Sequence, residues 1–480
     1  MKTSALLLSV FLFLSCNSNK KESSILGIEK PNVLLIAVDD LNDWIGVLGG
    51  HPQVKTPNID ALAKKGVLFS NAHCQAPVCN PSRASMMTSL YPSTTGIYFL
   101  SPGIENSEIA KKNTVMPIRF KNEGYAVSAA GKLFHNAVQN NKYLPNYQGE
   151  FGGFGPIPSE KLSSFPGHPL WDWGAFPERD DQTPDYKIAS WAEQEFNQKK
   201  KQPFWMGIGF YRPHVPQFAP QKWFDLYPME TLQLPRTITD DVDDIPQYGM
   251  DITRLKHVSP TFKWVTENNA WKPLVQSYLA CVSFVDAQVG RVLHALENGY
   301  YGKNTYVVLY SDHGFHQGEK ERFSKRSLWE DGARVPMIIV GPGIPKGKVC
   351  SKPVQLLDIY PTLLELCNLE KDAKLQGNSL VPLLKDSKSD WRHYARTSFG
   401  PGNYAIVSEQ YRFIQYNDGS EEFYDHTKDP KEWHNKITDA TYAKIVQKHR
   451  EQIPQEHQQI LGEKSTGHLS YKETELNNKK

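Results

Sequence analysis

The sequence predicts an α/β protein. Its main body is a doubly wound, mostly parallel sheet sandwiched by helices, and a smaller C-terminal subdomain is built on a short antiparallel sheet. Three observations predict this. Short apolar runs without alternation recur between Asn32 and Val340, as strands buried on both faces require. Stretches with helical periodicity separate them. Beyond Asn378 the texture changes to brief aromatic-rich segments joined by tight turns.

Taken in order, the predicted strands are Asn32–Val38, Tyr125–Ala130, Phe204–Phe210, Thr305–Tyr310 and Val335–Val340. Thr56-Pro57 opens a helix with a capping hydroxyl and a proline at its first position, and Gly66 closes it. A second helix covers about Thr114–Asn122, with Gly124 just beyond its end. Leu274–Leu296 is a third, carrying Tyr278, Val282, Val285, Val289, Val292 and Leu296 on one stripe. Gln148–Thr183, rich in Gly, Pro and aromatics, reads as a long irregular insertion of the kind that shapes a substrate pocket. Trp171 and Trp173 within it suit either stacking on a sugar ring or packing of the insertion. Tyr404–Val407, Tyr411–Tyr416 and Glu422–Tyr424, with an Asp418-Gly419 turn, form the small sheet.

With 54 Lys and Arg against 52 Asp and Glu, the net charge of +2 argues against a nucleic-acid binder. Lys199–Lys201 and Lys479-Lys480 read as solvated surface or chain end. The N-terminus reads as a targeting segment. Ala5–Leu14 is apolar but too short for a permanent membrane span, so residues 1–15 are expected to be a signal peptide. Leu14-Ser15-Cys16 resembles a bacterial lipobox, in which Cys16 carries the lipid and residues 16–30 form a tether. An ordinary cleaved signal peptide is the alternative. Either way the protein is expected to be exported, to the periplasm or cell surface, with any membrane contact through a lipid anchor only. The expected organisation continues with a catalytic body over 31–377 and the C-terminal subdomain and tail over 378–480. Of the six cysteines, none shows the spacing of a zinc site or a disulfide framework, and Cys281 and Cys367 fall in apolar helical patterns as buried thiols.

The polar residues gather where strands end. Ligands of an open parallel sheet bind beyond the carboxyl ends of its strands. Here those ends read Asp39-Asp40, Gly131-Lys132-Leu133-Phe134-His135, Tyr211-Arg212-Pro213-His214 and Ser311-Asp312-His313-Gly314. Asp39, Asp40 and Asp312 are hard oxygen donors, suited to Ca²⁺ or Mg²⁺ better than to zinc. Alone, Asp39-Asp40 could simply cap a turn. Cys79-Asn80-Pro81-Ser82-Arg83 starts a helix, whose N-terminal N–H groups favour an anion beside Cys79.

The C-x-P-x-R pattern at Cys79, with Tyr91–Gly96 downstream, resembles that of type I sulfatases of the alkaline-phosphatase superfamily. Gly131–His135, Arg212–Pro216 and Ser311–Gly314 are most similar to iduronate-2-sulfatases and bacterial polysaccharide sulfatases. The likeness runs from about Asn32 to Leu369, and Phe423–Asp425 with Asp429-Pro430 resembles the family's closing motif. This resemblance implies that Cys79 is converted to formylglycine by a formylglycine-generating or anaerobic sulfatase-maturing enzyme. It implies that Asp39, Asp40, Asp312 and His313 hold one Ca²⁺ together with modified Cys79, and that Arg83 steadies the aldehyde hydrate. Lys132 and Lys325 would grip sulfate oxygens. His135 and His214 would line the leaving-group side, with His214 the general acid. The implied reaction is attack of one hydrate hydroxyl on the sulfur of a sugar sulfate, after which the second hydroxyl expels sulfate. The implied substrate is a sulfated oligosaccharide or polysaccharide containing uronic acid, such as ulvan or a glycosaminoglycan. The alternatives are a phosphatase or phosphodiesterase on the same scaffold, or an inactive glycan-binding lipoprotein. The first would use Ser or Thr with two zinc ions, and the second would be expected to have lost Cys79, Arg83 or an aspartate.

Overall fold

A computed structural model of the chain describes residues 30–254, 259–462, 468 and 471–473. The expected signal peptide, Cys16 and nearly all of the tether lie outside the described residues. In chain order the strands are β1 (Asn32–Val38), β2 (Val67–His73), β3 (Ala126–Gly131), β4 (Trp173–Ala175), β5 (Phe204–Phe210), β6 (Gln217–Ala219), β7 (Thr305–Ser311), β8 (Arg334–Val340), β9 (Lys348–Cys350), β10 (Val354–Gln355), β11 (Ala395–Ser398), β12 (Tyr404–Val407), β13 (Tyr411–Gln415) and β14 (Glu421–Asp425). Eight of them form one sheet in the order β10-β2-β8-β7-β1-β5-β3, with β9 alongside β2. β1 is central, pairing in parallel with β5 and β7. All seven of its residues are buried.

Alternate residues of β1 feed two separate cores. Val33, Leu35 and Ala37 face Met86, Met87, Phe120 and Leu363. Leu34, Ile36 and Val38 face Ile188, Tyr278, Val282 and Val285. A strand with no solvent face has to be apolar throughout, which is why its sequence does not alternate. Burying each such Val, Leu or Ile stabilises the fold by about 1.5–3 kcal/mol. The predicted doubly wound α/β body is therefore present.

Two strands depart from the sequence reading. β8, expected to run with the others, is antiparallel to both β7 and β2. An apolar run buried on both faces reads the same in either direction. Here the connection from Asp312 to Ala333 stays on one rim and sends the chain straight back. β2 was not expected at all. Half-exposed Ser70 and Asn71 interrupt its apolar run, and its register shifts between Phe69 and Ala72.

The helices are close to expectation. Pro57–Ala63 begins after Thr56, but the Thr56 hydroxyl accepts from Gly46 N at 2.8 Å and does not cap the helix. The cap is Asp286, whose carboxylate accepts from Asn58 N at 3.2 Å and Ile59 N at 2.8 Å. Met116–Asn122 ends at Gly124, whose φ of +86° a side chain would strain. Trp271–Asn298 starts three residues before the expected Leu274 and buries the predicted stripe. It is long and apolar enough to cross a membrane by length and composition alone, but 72% of its apolar window is buried inside the protein. Such a helix is the core of a large sheet protein.

The C-terminal segments form an antiparallel meander, β11-β12-β13-β14, with Gly419 at φ +88° in the expected turn. Its first strand, β11, was missed because four residues carry no readable pattern. It docks against the large sheet, with Ser398 N donating to Gln75 O at 2.9 Å and Thr397 Oγ1 to Cys74 O at 2.6 Å. Among the described residues the five cysteines are buried and unpaired.

Candidate active site

Four carboxyl ends of parallel strands do converge on one rim. Asp39 and Asp40 follow β1, Lys132 and His135 follow β3, His214 follows β5, and Asp312 and His313 follow β7. In an extended chain Asp39 and Asp40 would point to opposite faces. Asp40 instead has φ +62°, and this left-handed turn brings both carboxylates to one place. The turn is held by Tyr278, whose hydroxyl donates to Asp40 O at 2.7 Å and accepts from Asn42 N at 2.9 Å. The Asp40 N–H donates to Asp312 Oδ1 at 3.2 Å, tying β1 to β7.

Cys79 is the first residue of the helix Cys79–Thr88, which is buried along its whole length. Its Sγ lies 3.1 Å from Lys325 Nζ and 3.2 Å from His313 Nε2. Burial works to raise the thiol, but Lys132, Lys325 and His313 hold it well below the usual thiol range. Such a site favours an anion at the Cys79 position. For a Cys79 converted to an aldehyde hydrate, Sγ marks the place of its oxygens.

Asp39 is clamped by two cations. Arg83 Nη2 donates to Asp39 Oδ1 at 3.0 Å, and Lys132 Nζ pairs with Asp39 Oδ2. Burial opposes ionisation of Asp39, yet Lys132 leads the charges that keep it ionised. Arg83 Nε donates to Asp312 Oδ2 at 2.9 Å, and Arg83 Nη1 donates to the Lys132 carbonyl. In the thiol form, then, the Arg83 hydrogen bonds go to the carboxylates and to the chain carrying Lys132, not to Cys79. Lys325 Nζ donates to Asp40 Oδ1 at 2.7 Å. The other oxygen, Asp40 Oδ2, is buried without a hydrogen-bond partner. A buried carboxylate oxygen of this kind is costly unless something else meets it.

His313 faces the same point. Its Nδ1 lies 3.0 Å from the Gly314 carbonyl, to which it donates, so Nε2 is the nitrogen turned to Asp40 Oδ1 at 3.4 Å and Asp312 Oδ2 at 3.5 Å. Burial lowers this ring, but Asp312 leads the groups that lift it to about 9. Ligand atoms of Asp39, Cys79, Asp312 and His313 lie within 4.8 Å of one another, as do those of Asp39, Asp40, Cys79 and His214. Carboxylate-rich donors plus an unmet Asp40 Oδ2 fit a hard divalent cation.

The histidines expected on the leaving-group side line the mouth of the site. His214 Nε2 is 3.9 Å from Asp40 Oδ2, and its Nδ1 donates to Val215 O at 2.5 Å. Its ring leans on Phe154 at 4.7 Å. His135 is depressed chiefly by burial, although it hydrogen-bonds Cys79, and its Nδ1 has no partner. Both open onto a cleft of about 360 Å³ that also shows Asp40, Cys79 and Lys325. That size suits one or two sugar rings.

The insertion does shape this cleft. Phe154, His168 and Trp171 line it. Trp173, by contrast, packs against Phe165 and Trp264 away from the cleft. Several lining residues were missed by the sequence reading, among them Leu100, His168, Phe315 and the charged Arg326 beside Lys325. No spacing rule marks Arg326. The signal was only its adjacency to a lysine already chosen, inside a segment unusually rich in charge.

Residues 31–369 match the family model described as Sulfatase, and residues 318–459 match that of the N-sulphoglucosamine sulphohydrolase C-terminal region. A protein described as a sulfatase from Formosa agariphila is 43% identical over 469 residues, covering 95% of this chain and 92% of its own. Human iduronate 2-sulfatase is 29% identical, covering 76% of this chain and 74% of its own. Among solved structures, a 2-O GAG sulfatase superposes with a TM-score of 0.67 at 24% identity, covering 88% of this chain and 91% of that one.

Proposed function

Because the chain belongs to the sulfatase family, whose model spans most of it, we propose that it hydrolyses O-sulfate esters of a uronic-acid-containing carbohydrate through an oxidised Cys79. The observation that carries this reading is the surrounding of Cys79. Its Sγ is in hydrogen-bond reach of Lys325 and His313, at the start of a helix and beside three carboxylates. The iduronate-type segments Gly131–His135 and Arg212–Pro216 supply cleft residues His135 and His214, which supports a sugar substrate related to a uronate.

When present, a hydrated aldehyde at position 79 and a Ca²⁺ beside it supply a geminal diol for attack and release and a Lewis acid for the sulfuryl oxygens. Asp39, Asp40 and Asp312 would hold the cation, with His313 Nε2 facing them. Lys325, beside Asp40 and Cys79, and Lys132, beside Asp39, hold negative charge that spreads over the sulfate in the transition state. Arg83 fixes Asp39 and Asp312, so the acidic groups cannot turn away when substrate enters. His214 lies at the mouth of the cleft, where the ester oxygen leaves, and its role is to protonate that oxygen. Phe154 screens Lys132 and His214 from water.

We place the protein outside the cytoplasm, on the basis of the N-terminal sequence, with a lipid at Cys16 as its only membrane contact. The test is sulfate release from a panel of sulfated oligosaccharides by natively matured protein, read by ion chromatography and product mass. Liberated inorganic sulfate is expected. Turnover confined to phosphate or phosphonate esters would replace this reading with the phosphatase alternative.

A further inference from the structure

The base of the cleft holds one charge that the reaction above leaves idle. Arg326 is 7% exposed, lines the cleft with Cys79, Asp40 and Lys325, and has Nε and Nη1 buried without a hydrogen-bond partner. Among the described residues no carboxylate forms an ion pair with it, although Arg83, Lys132 and Lys325 each have one. A guanidinium cannot shed its proton, so an unpaired one in the interior is costly. Its neighbours add to that cost, since Lys325 is adjacent and Arg322, at 6% exposure, donates to Lys325 O at 3.0 Å. The backbone is also unfavourable. Arg326 has φ +71°, fixed by its N–H donating to Pro77 O at 3.1 Å. That left-handed turn breaks the alternation of the chain and brings two consecutive cations, Lys325 and Arg326, to one cleft.

We propose that Arg326 binds a second anionic group of the substrate, distinct from the sulfate being cleaved. This rests on the sulfatase reading. Lys325 and Lys132 already converge on the reacting sulfate, as compact point charges suited to changing geometry. Arg326 instead presents a rigid planar guanidinium whose Nε and Nη1 both lack partners, a donor set suited to the oxygens of a carboxylate or a sulfate. The chemistry shared by the two ligands is a doubly accepting anion on the sugar or its neighbour. Arg326 would then be a specificity residue, selecting dianionic sugar sulfates over monoanionic ones.

The experiment compares wild-type protein, matured at Cys79, with Arg326→Gln and Arg326→Lys. Substrates are 4-nitrophenyl sulfate and defined sulfated uronate disaccharides, each paired with its carboxyl-reduced and its singly sulfated counterpart. For wild type, the best disaccharide is expected to lose about 100-fold in kcat/KM when its second anion is removed. Loss on carboxyl reduction names the carboxylate, and loss on removing a second sulfate names that group. Arg326→Gln is expected to lower the ratio of disaccharide to aryl sulfate kcat/KM by about the same factor, mostly through KM, with Arg326→Lys recovering only part. Equal losses on all substrates, or a wild type indifferent to the second anion, would overturn the assignment even if a variant fails to fold. Wild type releasing no sulfate from any ester, 4-nitrophenyl sulfate included, would instead refute the sulfatase reading itself and this inference with it.

Discussion

At the scale of single residues, the site depends on charges that would be unfavourable alone. Cys79, Asp39, Asp312 and Arg83 are all essentially excluded from solvent, and each is tolerable only beside the others. Replacing Cys79 with Ala should leave the melting temperature within a few degrees and reduce sulfate release at least about 1000-fold, since no other group offers the nucleophile. Retention of near-normal turnover in that variant would remove Cys79 from the reaction. Peptide mass spectrometry adds a direct check, because trypsin releases Gly66–Arg83 with both Cys74 and Cys79. Conversion is expected at Cys79 alone, because Cys74-Gln75-Ala76-Pro77-Val78 lacks the C-x-P-x-R pattern that Cys79 begins. His214→Ala should slow sugar sulfates by about 100-fold and aryl sulfates far less, because a phenolate leaves without a proton. Equal losses on the two would take the acid role away from His214.

At the scale of elements, strand ends and the turns after them do the positioning. β3 and β5 approach so closely that a methyl group on Gly209 would lie 2.1 Å from Lys132 O. Gly209→Ala should therefore cost about 1–3 kcal/mol and lower kcat together with stability, since the strain falls on the chain that carries Lys132. A stability loss with kcat untouched would show that Lys132 has more freedom than this packing implies. The proposed cation is an element-scale matter too, because the carboxylates that would hold it follow β1 and β7. Chelation should abolish turnover and lower the melting temperature, and Ca²⁺ at about 100 times its Kd should restore about 2.7 kcal/mol. Binding should also release a proton from His313, whose pKa Asp312 lifts above the usual imidazole range. Proton uptake or no change, read by calorimetry in two buffers near pH 7.5, would exclude His313 Nε2 as a ligand.

How legible all this is in the sequence differs by element. The four converging segments were readable because polar residues directly after two-face-buried strands have no structural reason to be there. The carboxylate geometry was not, since it depends on Asp40 adopting φ +62° under the hold of Tyr278, a residue more than two hundred positions away. The direction of β8 was invisible because burial sets composition without setting polarity. Arg326 was invisible because its significance is the lack of a partner, which only three-dimensional neighbours reveal.

At the scale of the whole molecule, the small sheet braces the site from behind. Arg412 on β13 donates to Leu328 O at 2.8 Å, pairs with Glu330 and lies 2.6 Å from Glu432. Trp329 Nε1 donates to Glu422 on β14 at 2.8 Å. Residues 328–330 follow Lys325 and Arg326 after the single residue Ser327, so the C-terminal strands hold the segment that presents both cations. Arg412→Leu should cost about 3 kcal/mol, because it takes a buried cation from Glu432 and Glu330 and leaves them only His426 and Arg334, and should lower turnover in whatever fraction stays folded. Normal stability in that variant would mean that the brace is dispensable.

The burial of Cys79 also has a consequence for biogenesis. A thiol 1% exposed, wound into the first turn of an enclosed helix, is beyond the reach of another protein's active centre. If a separate enzyme installs the aldehyde, it has to do so while Cys79–Arg83 is still an open strand of nascent polypeptide. Each molecule then has a single early chance at activation, and one that closes with its sulfur intact stays inert for life.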